Sequence, residues 1–281
     1  MTILNKTASY LLGESVDVDD HELASAFDLA ASRYDLMVAL NPGYHRELAA
    51  AANALADKLG ASADVVRLLD LGCGSGASTR ALVRAFGAER RRVEIIGVDA
   101  SAGMLEQARS KTWPGGVRFE HGFAQRLTAG QEILALNEPA DGVFAAYLFR
   151  NVADRDETLR GVHRLLRPGG TLVVQEYSVV GSLAAQMVWT LVCWLVIMPL
   201  SWLTSRRTKL YRYLWRSVRR FDAVETFVDR LNRAGFSEVE VRTARGWQRG
   251  ILHTFRARKP GEVVLDQQAE WLGAESRSPG R

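Results

Sequence analysis

The sequence predicts an α/β fold, a Rossmann-like, doubly wound sheet of seven mostly parallel strands. Short apolar runs alternate with helical stretches, which is typical of a parallel sheet covered by helices. A glycine-rich loop follows the first apolar run, as at the ligand-binding end of such sheets. The last two strand-like runs lack a helix between them and predict a terminal antiparallel hairpin at one edge. An apolar insert is expected after the fifth strand.

The elements follow one another in a regular order. Two helices are predicted first, over 22–40 and 45–59, separated by the helix-breaking sequence Asn41-Pro42-Gly43. The strand-like runs are 65–71, 93–98, 117–120, 142–148, 171–177, 239–243 and 251–258. Helices are predicted between them over 77–86, 101–111, 154–166 and 223–234. We expect a tail (1–25), N-terminal helices with the ligand-binding core (26–177), the insert (178–221), a C-terminal helix and hairpin (222–260) and a second tail (261–281).

The composition is that of a globular protein. The 36 Lys+Arg and 32 Asp+Glu residues give a net charge of +4, with 47% hydrophobic and 24% charged residues. These values exclude a disordered chain, a collagen-like repeat and a polytopic membrane protein, and the charge is too small to indicate nucleic-acid binding. Cys73 and Cys193 give neither a disulfide framework nor metal-ligand spacing, so no metal is expected. Residues 1–20 lack a secretory signal pattern, and we expect a cytoplasmic protein.

The strongest chemical signal is the loop after the first strand. Gly72, Gly74 and Gly76 open a helix, and glycines there permit a tight turn and close approach of the backbone to a ligand. Asp99 ends the second strand, 23 residues after Gly76, where a carboxylate can accept hydrogen bonds from both hydroxyls of a ribose. A structural turn would explain the glycines alone. Together, the loop and the acid predict a nucleoside cofactor.

The chemistry of the loop distinguishes between cofactors. A dinucleotide site has the pattern GxGxxG around a pyrophosphate, whereas the third glycine here comes one residue early. Asp70 precedes the loop, where a carboxylate is poorly placed for a pyrophosphate but suits an ammonium group. S-adenosylmethionine has an amino-acid end and no phosphate, so it fits both observations.

Three motifs resemble those of class I S-adenosylmethionine-dependent methyltransferases. They are LLDLGCGSG (68–76), GVDAS (97–101) with Met104-Leu105, and LRPGG (166–170), and they cover about residues 65–177. The resemblance implies cofactor contacts at Asp70, Gly72, Gly74, Ser75, Gly76, Asp99, Ala100, Met104, Phe123 and Ala124.

Further segments resemble the UbiE/COQ5 family, which C-methylates the quinone ring in menaquinone and ubiquinone synthesis. They are Phe27 with YDLM (34–37) and HR (45–46), LFRNVAD (148–154), QEYS (175–178), YRYLWRSV (211–218) with Phe221, AGF (234–236) and GILH (250–253). The similarity spans about residues 26–260. It implies a lipophilic (poly)prenyl quinone or quinol as substrate. Assembly into a homodimer or a quinone-biosynthesis complex is left open as a possibility for this chain.

Ligands of open α/β sheets bind at the carboxyl ends of the strands, which brings further residues to the same crevice. For ring C-methylation, Arg150 is expected to stabilise the charge developing on the quinol oxygen, with Asn151 orienting it and Glu176 acting as a base or orienting one. The residues expected to line the quinone pocket are Tyr34, Tyr147, Tyr177 and His253. Simpler structural interpretations stay open for three of these residues. Arg150 only pairs with an acid such as Asp154, Tyr34 is a tyrosine of the core, and His253 is a strand histidine with its hydrogen bonds satisfied.

Two departures from the family pattern keep other functions open. Gly122-Phe123-Ala124 stands where the family has Gly-Asp-Ala, so Phe123 is expected to stack on adenine in place of the polar contact. The segment 179–204 is also more apolar than its counterpart. A related protein of rhodoquinone biosynthesis resembles this family, and the implied reaction there exchanges a ubiquinone methoxy group for an amino group with S-adenosylmethionine as amino donor. Methylation of another lipophilic phenol or polyketide, and a non-catalytic lipid-binding scaffold, are further alternatives.

Charge is segregated along the chain. No charged residue occurs from Ser178 to Ser205, a run of 28, and the stretch 206–220 then holds seven Lys and Arg residues and no acid. A single membrane span is excluded if the fold prediction holds, because the last two strands must pair with the rest of the sheet. We expect an interfacial helix, a re-entrant hairpin broken near Pro199 or a lid over an apolar pocket, against a buried core or dimer helix.

Tryptophans in the run and arginines after it favour contact of residues 179–220 with an anionic membrane surface. We therefore expect peripheral association with the cytoplasmic membrane, where a polyprenyl quinone resides.

Overall fold

The computed structural model describes residues 24, 25, 27, 28, 31, 35, 41, 43–59, 65–87, 92–130, 138–199 and 208–261. In this part of the chain seven strands form one sheet: β1 (Val65–Leu71), β2 (Arg92–Asp99), β3 (Val117–His121), β4 (Ala140–Ala146), β5 (Leu166–Tyr177), β6 (Ser237–Thr243) and β7 (Leu252–Arg258). The helices are α1 (Tyr44–Leu59), α2 (Ala77–Gly87), α3 (Ala102–Arg109), α4 (Ala124–Thr128), α5 (Arg155–Leu165), α6 (Leu183–Val192), α7 (Thr208–Arg220) and α8 (Val224–Arg233).

The strands lie in the order β3-β2-β1-β4-β5-β7-β6. Strands β1 to β5 run parallel, whereas β7 is antiparallel to both β5 and β6. This arrangement confirms the predicted Rossmann-like sheet with its terminal hairpin. The strand order reverses between β1 and β4, and in such sheets the ligand crevice lies outside the carboxyl ends of the strands at that point.

Apolar side chains of the central strands pack on both faces of the sheet. All seven residues of β4 are buried, which is the pattern of a parallel strand covered on both sides. Leu68 and Phe144 belong to one core with residues of α1, while Leu69 and Val143 belong to another with residues of α5 and α8. Because both faces are packed, the relative positions of the strand ends are fixed.

The clearest difference from the predicted elements is the start of β5. It begins at Leu166, ahead of the predicted start at Thr171, although Arg167-Pro168-Gly169-Gly170 has the composition of a turn. Leu166 pairs with Ala140 across an irregularity in the ladder, and the Lys259 N–H donates to Gly170 O at 2.8 Å. Because of these backbone contacts, residues 166–170 form the first part of β5 although their composition is that of a turn.

Other differences are small. The short helix α4 and a 3₁₀ turn at Phe149–Asn151 were not predicted. Most of the helix predicted over 22–40 lies outside the described residues, and those described within it are helical. The tail 1–25 lies almost wholly outside them, as does most of 261–281, so these boundaries stay predictions.

The insert contains α6, a π-helical turn at Cys193–Ile197 and α7. The Ser182 hydroxyl caps α6 by accepting from the Ala185 N–H at 3.2 Å. Residues 200–207, between the turn and α7, lie outside the described residues. No helix among the described residues is both long enough and apolar enough to cross a membrane.

Candidate active site

A cleft opens at the carboxyl ends of β1 and β4, where the strand order reverses. Eight predicted site residues line it: Gly72, Gly74, Ser75, Asp99, Met104, Tyr147, Arg150 and Asn151. The lining residues that sequence reasoning did not assign are Phe27, Tyr44, Cys73, Ala77, Ser78, Ala146 and Leu148. Most of these are chain neighbours of predicted ones, and that proximity was the available signal. Tyr44, which begins α1, had no such signal beyond the neighbouring HR resemblance.

The glycine loop is fixed against the acid that ends β2. The Gly74 N–H donates to Asp99 Oδ2 at 2.7 Å, and the Ser101 N–H donates to Oδ1 at 2.9 Å. Gly74 has a φ of +53°, and a Cβ built on it would meet nothing within 4 Å. The loop therefore presents bare backbone to the cleft, as close approach of a ligand requires.

Asp99 keeps acceptor capacity toward the cleft. Its two backbone donors occupy one lone pair on each carboxylate oxygen, and each oxygen has a second. Burial raises the pKa of Asp99 above its usual value, and the two backbone hydrogen bonds oppose that rise. Two hydroxyl donors from a ribose would match the remaining acceptor positions.

Asp70 lies beneath the glycine loop and does not line the cleft. Its Oδ2 accepts from the hydroxyls of Ser78 at 2.7 Å and Thr79 at 2.6 Å, in the first turn of α2. Its Oδ1 is buried without a hydrogen-bond partner among the described residues. Burial raises the pKa of Asp70 from 3.8 to about 7, against the lowering effect of the two hydroxyls. Asp70 thus ties β1 to α2, and its contact with an ammonium group stays a prediction.

Arg150 and Glu176 form a buried ion pair at the cleft wall. Arg150 Nη1 donates to Glu176 Oε1 at 2.6 Å, and the Arg150 backbone N–H donates to Oε2 at 3.2 Å. Glu176 is fully buried, accepts from the Tyr177 N–H at 3.0 Å and does not line the cleft. The simpler interpretation was that Arg150 pairs with an acid such as Asp154. Arg150 does pair with an acid, but that acid is Glu176, whereas Asp154 caps α5. Arg150 therefore lines the cleft, whereas its carboxylate partner lies behind it.

Asn151 is held beside Arg150 by the insert. Its Oδ1 accepts from the Tyr213 hydroxyl of α7 at 3.1 Å, and its Nδ2 donates to Tyr147 O at 3.4 Å. The insert therefore contacts a cleft residue directly.

Four aromatic rings stack in a row from the cleft to α6. The ring centroids of Tyr44 and Tyr147 are 5.3 Å apart, those of Tyr147 and Tyr177 are 5.1 Å apart, and those of Tyr177 and Trp189 are 4.9 Å apart. Tyr147 has a φ of +59°, which is strained for a tyrosine and is a feature that clusters at functional sites. Burial raises the pKa of Tyr147 above its usual range and that of Tyr177 to about 12, so both phenols are neutral.

Comparison with known proteins shows which family the chain belongs to. The model of the ubiE/COQ5 methyltransferase family matches residues 15–259, which is most of the chain. The chain belongs to the ubiE/COQ5 methyltransferase family.

Two relatives show the similarity over nearly their full length. The ubiquinone/menaquinone biosynthesis C-methyltransferase UbiE of Pseudomonas paraeruginosa is 29% identical over 240 residues, which are 85% of this chain and 89% of the relative. The demethylmenaquinone methyltransferase of Streptomyces avermitilis is 29% identical over 250 residues, which are 86% of this chain and 98% of the relative.

A solved structure shares the fold. It is phosphoethanolamine N-methyltransferase 2 of Haemonchus contortus in complex with S-adenosylhomocysteine, with a TM-score of 0.57 at 18% identity over 88% of this chain and 60% of that one. With its ubiE/COQ5 membership, the chain is an S-adenosylmethionine-dependent methyltransferase, and S-adenosylmethionine is its cofactor.

The residues of the cleft fit that cofactor. The bare backbone at Gly74 would admit the methionine end, the Asp99 carboxylate would hold the ribose, and the thioether of Met104 offers an apolar contact for adenine. The donor and acceptor types are those that a phosphate-free nucleoside requires. Among the described residues, no three His, Cys, Asp or Glu side chains group closely enough to hold a metal ion.

Five predicted cofactor residues lie outside the cleft lining: Asp70, described above, Gly76, Ala100, Phe123 and Ala124. A Cβ on Gly76 would come within 2.8 Å of the Trp113 ring, so glycine is needed there for packing. Phe123 immediately precedes α4, where the Arg126 guanidinium lies 4.8 Å from its ring. Stacking of Phe123 on adenine stays a prediction.

The quinone-pocket residues are only partly brought together. Tyr147 lines the cleft, Tyr177 lies behind it in the aromatic row, and Tyr34 lies outside the described residues. His253 lies on β7 opposite Glu176, buried away from the cleft, and burial lowers its pKa. Its role in the pocket stays a prediction.

The N-terminal segment contributes contacts that the sequence did not predict. Asp35 accepts from the Ser75 hydroxyl at 2.5 Å and pairs with Lys111 at 2.6 Å, while Lys111 also donates to Ser75 O at 2.7 Å. Asp28 accepts from the Ser101 hydroxyl at 2.5 Å and the Gly103 N–H at 2.9 Å. These contacts hold Asp35 against the glycine loop and Asp28 against the start of α3. Asp35 lies in the YDLM resemblance, which was the one available signal.

Proposed function

We propose that this chain transfers the methyl group of S-adenosylmethionine to a ring carbon of a lipophilic (poly)prenyl quinol in ubiquinone or menaquinone synthesis. The names of its relatives support this substrate class. The observation that carries it is Arg150 at the cleft wall, with its guanidinium 5.6 Å from the ring of Tyr147 in a row of aromatic side chains. A cation and flat apolar surfaces suit an electron-rich ring with an anionic oxygen.

The proposed reaction is a direct methyl transfer. The quinol oxygen first releases its proton to solvent. A carbon–carbon bond then forms to the ring as the carbon–sulfur bond of the sulfonium breaks and leaves its electron pair on sulfur. The ring hydrogen leaves as a proton and the oxygen is protonated again, so one proton is released in total. When bound, S-adenosylmethionine supplies the electrophilic methyl group. No oxidant or reductant is consumed, because the quinol enters reduced and its methylated product leaves reduced.

Arg150 acts on the ring oxygen in this proposal. Charge on that oxygen increases the electron density of the ring carbon, and a fixed cation beside it favours loss of the quinol proton and holds the resulting phenolate in place. The charge leaves the oxygen as the carbon–carbon bond forms. Glu176 holds the guanidinium at 2.6 Å and so fixes its direction. Arg150 lines the cleft and Glu176 does not, so Arg150 is the catalytic residue and Glu176 a positioning residue.

The aromatic row supplies a path for the rest of the substrate. Tyr44 and Tyr147 present rings at the cleft, and Tyr177 and Trp189 continue the row to α6. The outer side of α6 is apolar, so a prenyl tail leaving the cleft on this side would meet apolar surface. Alignment of ring and methyl group by such walls supplies much of the rate in transfers of this kind.

The other functions considered from the sequence have less support. Neither relative is named for exchange of a methoxy group for an amino group or for a non-catalytic role. We retain both only as outcomes of the experiment.

The test uses the purified full chain, S-adenosylmethionine with a deuterated methyl group, and a chemically reduced short-chain quinone that lacks the ring methyl. We expect mass spectrometry to find the deuterated methyl on a ring carbon, with one S-adenosylhomocysteine formed per product. Label on oxygen, a nitrogen-containing product or no S-adenosylhomocysteine would contradict the proposal. Asp99→Asn should weaken cofactor binding and activity, while Asp229→Asn, an exposed change on α8, is the matched control.

A further inference from the structure

The insert presents a continuous apolar surface to solvent. Leu183, Met187, Leu191 and Leu195 follow one another four residues apart along α6 and its π-helical turn, and we call them the apolar face. Leu183 is 77% exposed, Leu195 71% and Met187 62%. Exposed apolar patches on this scale mark interaction sites in folded proteins.

The opposite side of α6 is seated on the protein. Ala185, Trp189 and Cys193 repeat at the same spacing and are buried in the core. The π-helical turn, in which the Met198 N–H donates to Cys193 O, places the buried Met198 five residues after Cys193 and so extends this buried side. The apolar face is therefore held outward by packing on its other side.

A basic edge borders the apolar face. Helix α7 carries five Lys and Arg residues and no acid. It contacts α6 through Trp215, whose Nε1 donates to Thr190 Oγ1 at 3.3 Å and whose ring lies 6.1 Å from that of Trp194. The Arg219 guanidinium lies over the same ring at 4.9 Å, which places this charge next to the apolar face.

The charges of this edge are available to a partner. Arg212, Arg219 and Arg220 are exposed, and none forms an ion pair with an acidic side chain that the structure describes. We define these three as the basic edge. Trp194, 49% exposed, stands between the apolar face and the basic edge.

We propose that the apolar face and the basic edge dock on the surface of an anionic lipid bilayer. Apolar side chains on one side of a helix enter the acyl boundary, flanking arginines pair with anionic headgroups, and tryptophan prefers the region between them. A second copy of the chain fits less well, because neither α6 nor α7 carries an acidic residue that could pair with the basic edge of another copy, whereas anionic headgroups could. The proposal goes beyond the methyl transfer, since docking requires neither cofactor nor quinol.

The experiment is flotation of the full chain with vesicles, without S-adenosylmethionine or quinone. We expect binding to phosphatidylcholine vesicles containing phosphatidylglycerol, and weak binding to phosphatidylcholine alone. Arg212→Glu with Arg220→Glu should lower the partition coefficient about tenfold or more, and high salt should act in the same direction. Leu183→Glu with Leu195→Glu should abolish binding at every salt concentration.

A matched control separates local from overall charge. Arg84→Glu with Arg92→Glu makes the same change in net charge at exposed arginines of α2 and β2, away from the insert, and should leave binding unchanged. The proposal is overturned if the wild-type chain does not float with anionic vesicles, or if this control loses as much binding as the Arg212 and Arg220 variant. Sedimentation velocity tests whether a second copy of the chain occupies the apolar face. If the wild-type chain is a dimer that does not bind vesicles, and Leu183→Glu with Leu195→Glu converts it to a monomer, the face is a dimer interface. Neither result would alter the methyl-transfer assay.

Discussion

At the scale of single residues, the Arg150–Glu176 pair is the feature on which the chemistry rests. The two side chains are almost fully removed from solvent, with 9% of the Arg150 side chain and 0% of the Glu176 side chain exposed. A buried carboxylate is stable when its partner and backbone donors satisfy it, and Glu176 has all three contacts. Removing the arginine outright would leave that charge unpaired, so a charge-conserving change is the informative one.

Arg150→Lys keeps the positive charge and loses the forked guanidinium. We expect kcat to fall by about 10²-fold with little change in the KM for S-adenosylmethionine, because the lost contact is with the phenolate oxygen of the quinol and not with the cofactor. Steady-state kinetics check this, with the melting temperature as a test of folding. Arg160→Lys, at an exposed arginine of α5, is the control. An unchanged kcat in Arg150→Lys would remove Arg150 from the mechanism.

Asp70 gives a prediction about stability and pH. Its pKa is raised from 3.8 to about 7 by burial, so the folded state holds a proton that the unfolded state releases between those values. The stability from this residue is present at low pH and is lost as the pH rises toward and through about 7. In Asp70→Asn that dependence should disappear.

The measurement is the melting temperature of both proteins between about pH 5 and about pH 8. The wild-type chain should lose stability relative to Asp70→Asn across this range, and the difference should level off at the upper end. Parallel curves for the two proteins would show that Asp70 does not titrate as its burial indicates.

At the scale of elements, Asp35 connects the part of the chain before α1 to the glycine loop through Ser75 and Lys111. Lys111→Met removes both hydrogen bonds that its ammonium makes. We expect the Kd for S-adenosylmethionine to rise roughly three- to tenfold, a modest effect because this ion pair is partly exposed. Calorimetric titration checks this. Lys58→Met, at a similarly exposed ion pair far from the cleft, should bind as the wild type does, and equal affinity of the two variants would contradict the role of the contact.

The insert shows what a hydrophobic run does and does not reveal. The uncharged stretch of 28 residues predicted an apolar element, but a run that is apolar on all sides does not indicate which side faces the core. The structure turns Trp189 inward and Trp194 outward. That choice depends on contacts with Tyr177 and Trp215, which lie elsewhere in the chain.

At the scale of the whole molecule, the sheet was predictable because its signals are local. Apolar runs indicate burial on both faces of parallel strands, the glycine loop directly follows β1, and Asp99 is the last residue of β2. The parts that escaped prediction depend on pairing between distant residues. Leu166 joins β5 because it pairs with Ala140, Glu176 lies behind Arg150 because β5 lies beside β4, and Asp35 reaches Lys111 across 76 positions.

The central claim is methyl transfer to the ring of a membrane quinol. It is tested most directly by the quinone profile, measured by mass spectrometry, of cells that carry this gene and of the same cells after its deletion. We predict that deletion lowers the ring-methylated quinone and accumulates the form that lacks one ring methyl group, and that the wild-type gene restores the profile while Arg150→Lys restores it poorly. An unchanged profile, or loss of an amino-substituted quinone without accumulation of a demethyl form, would contradict the claim.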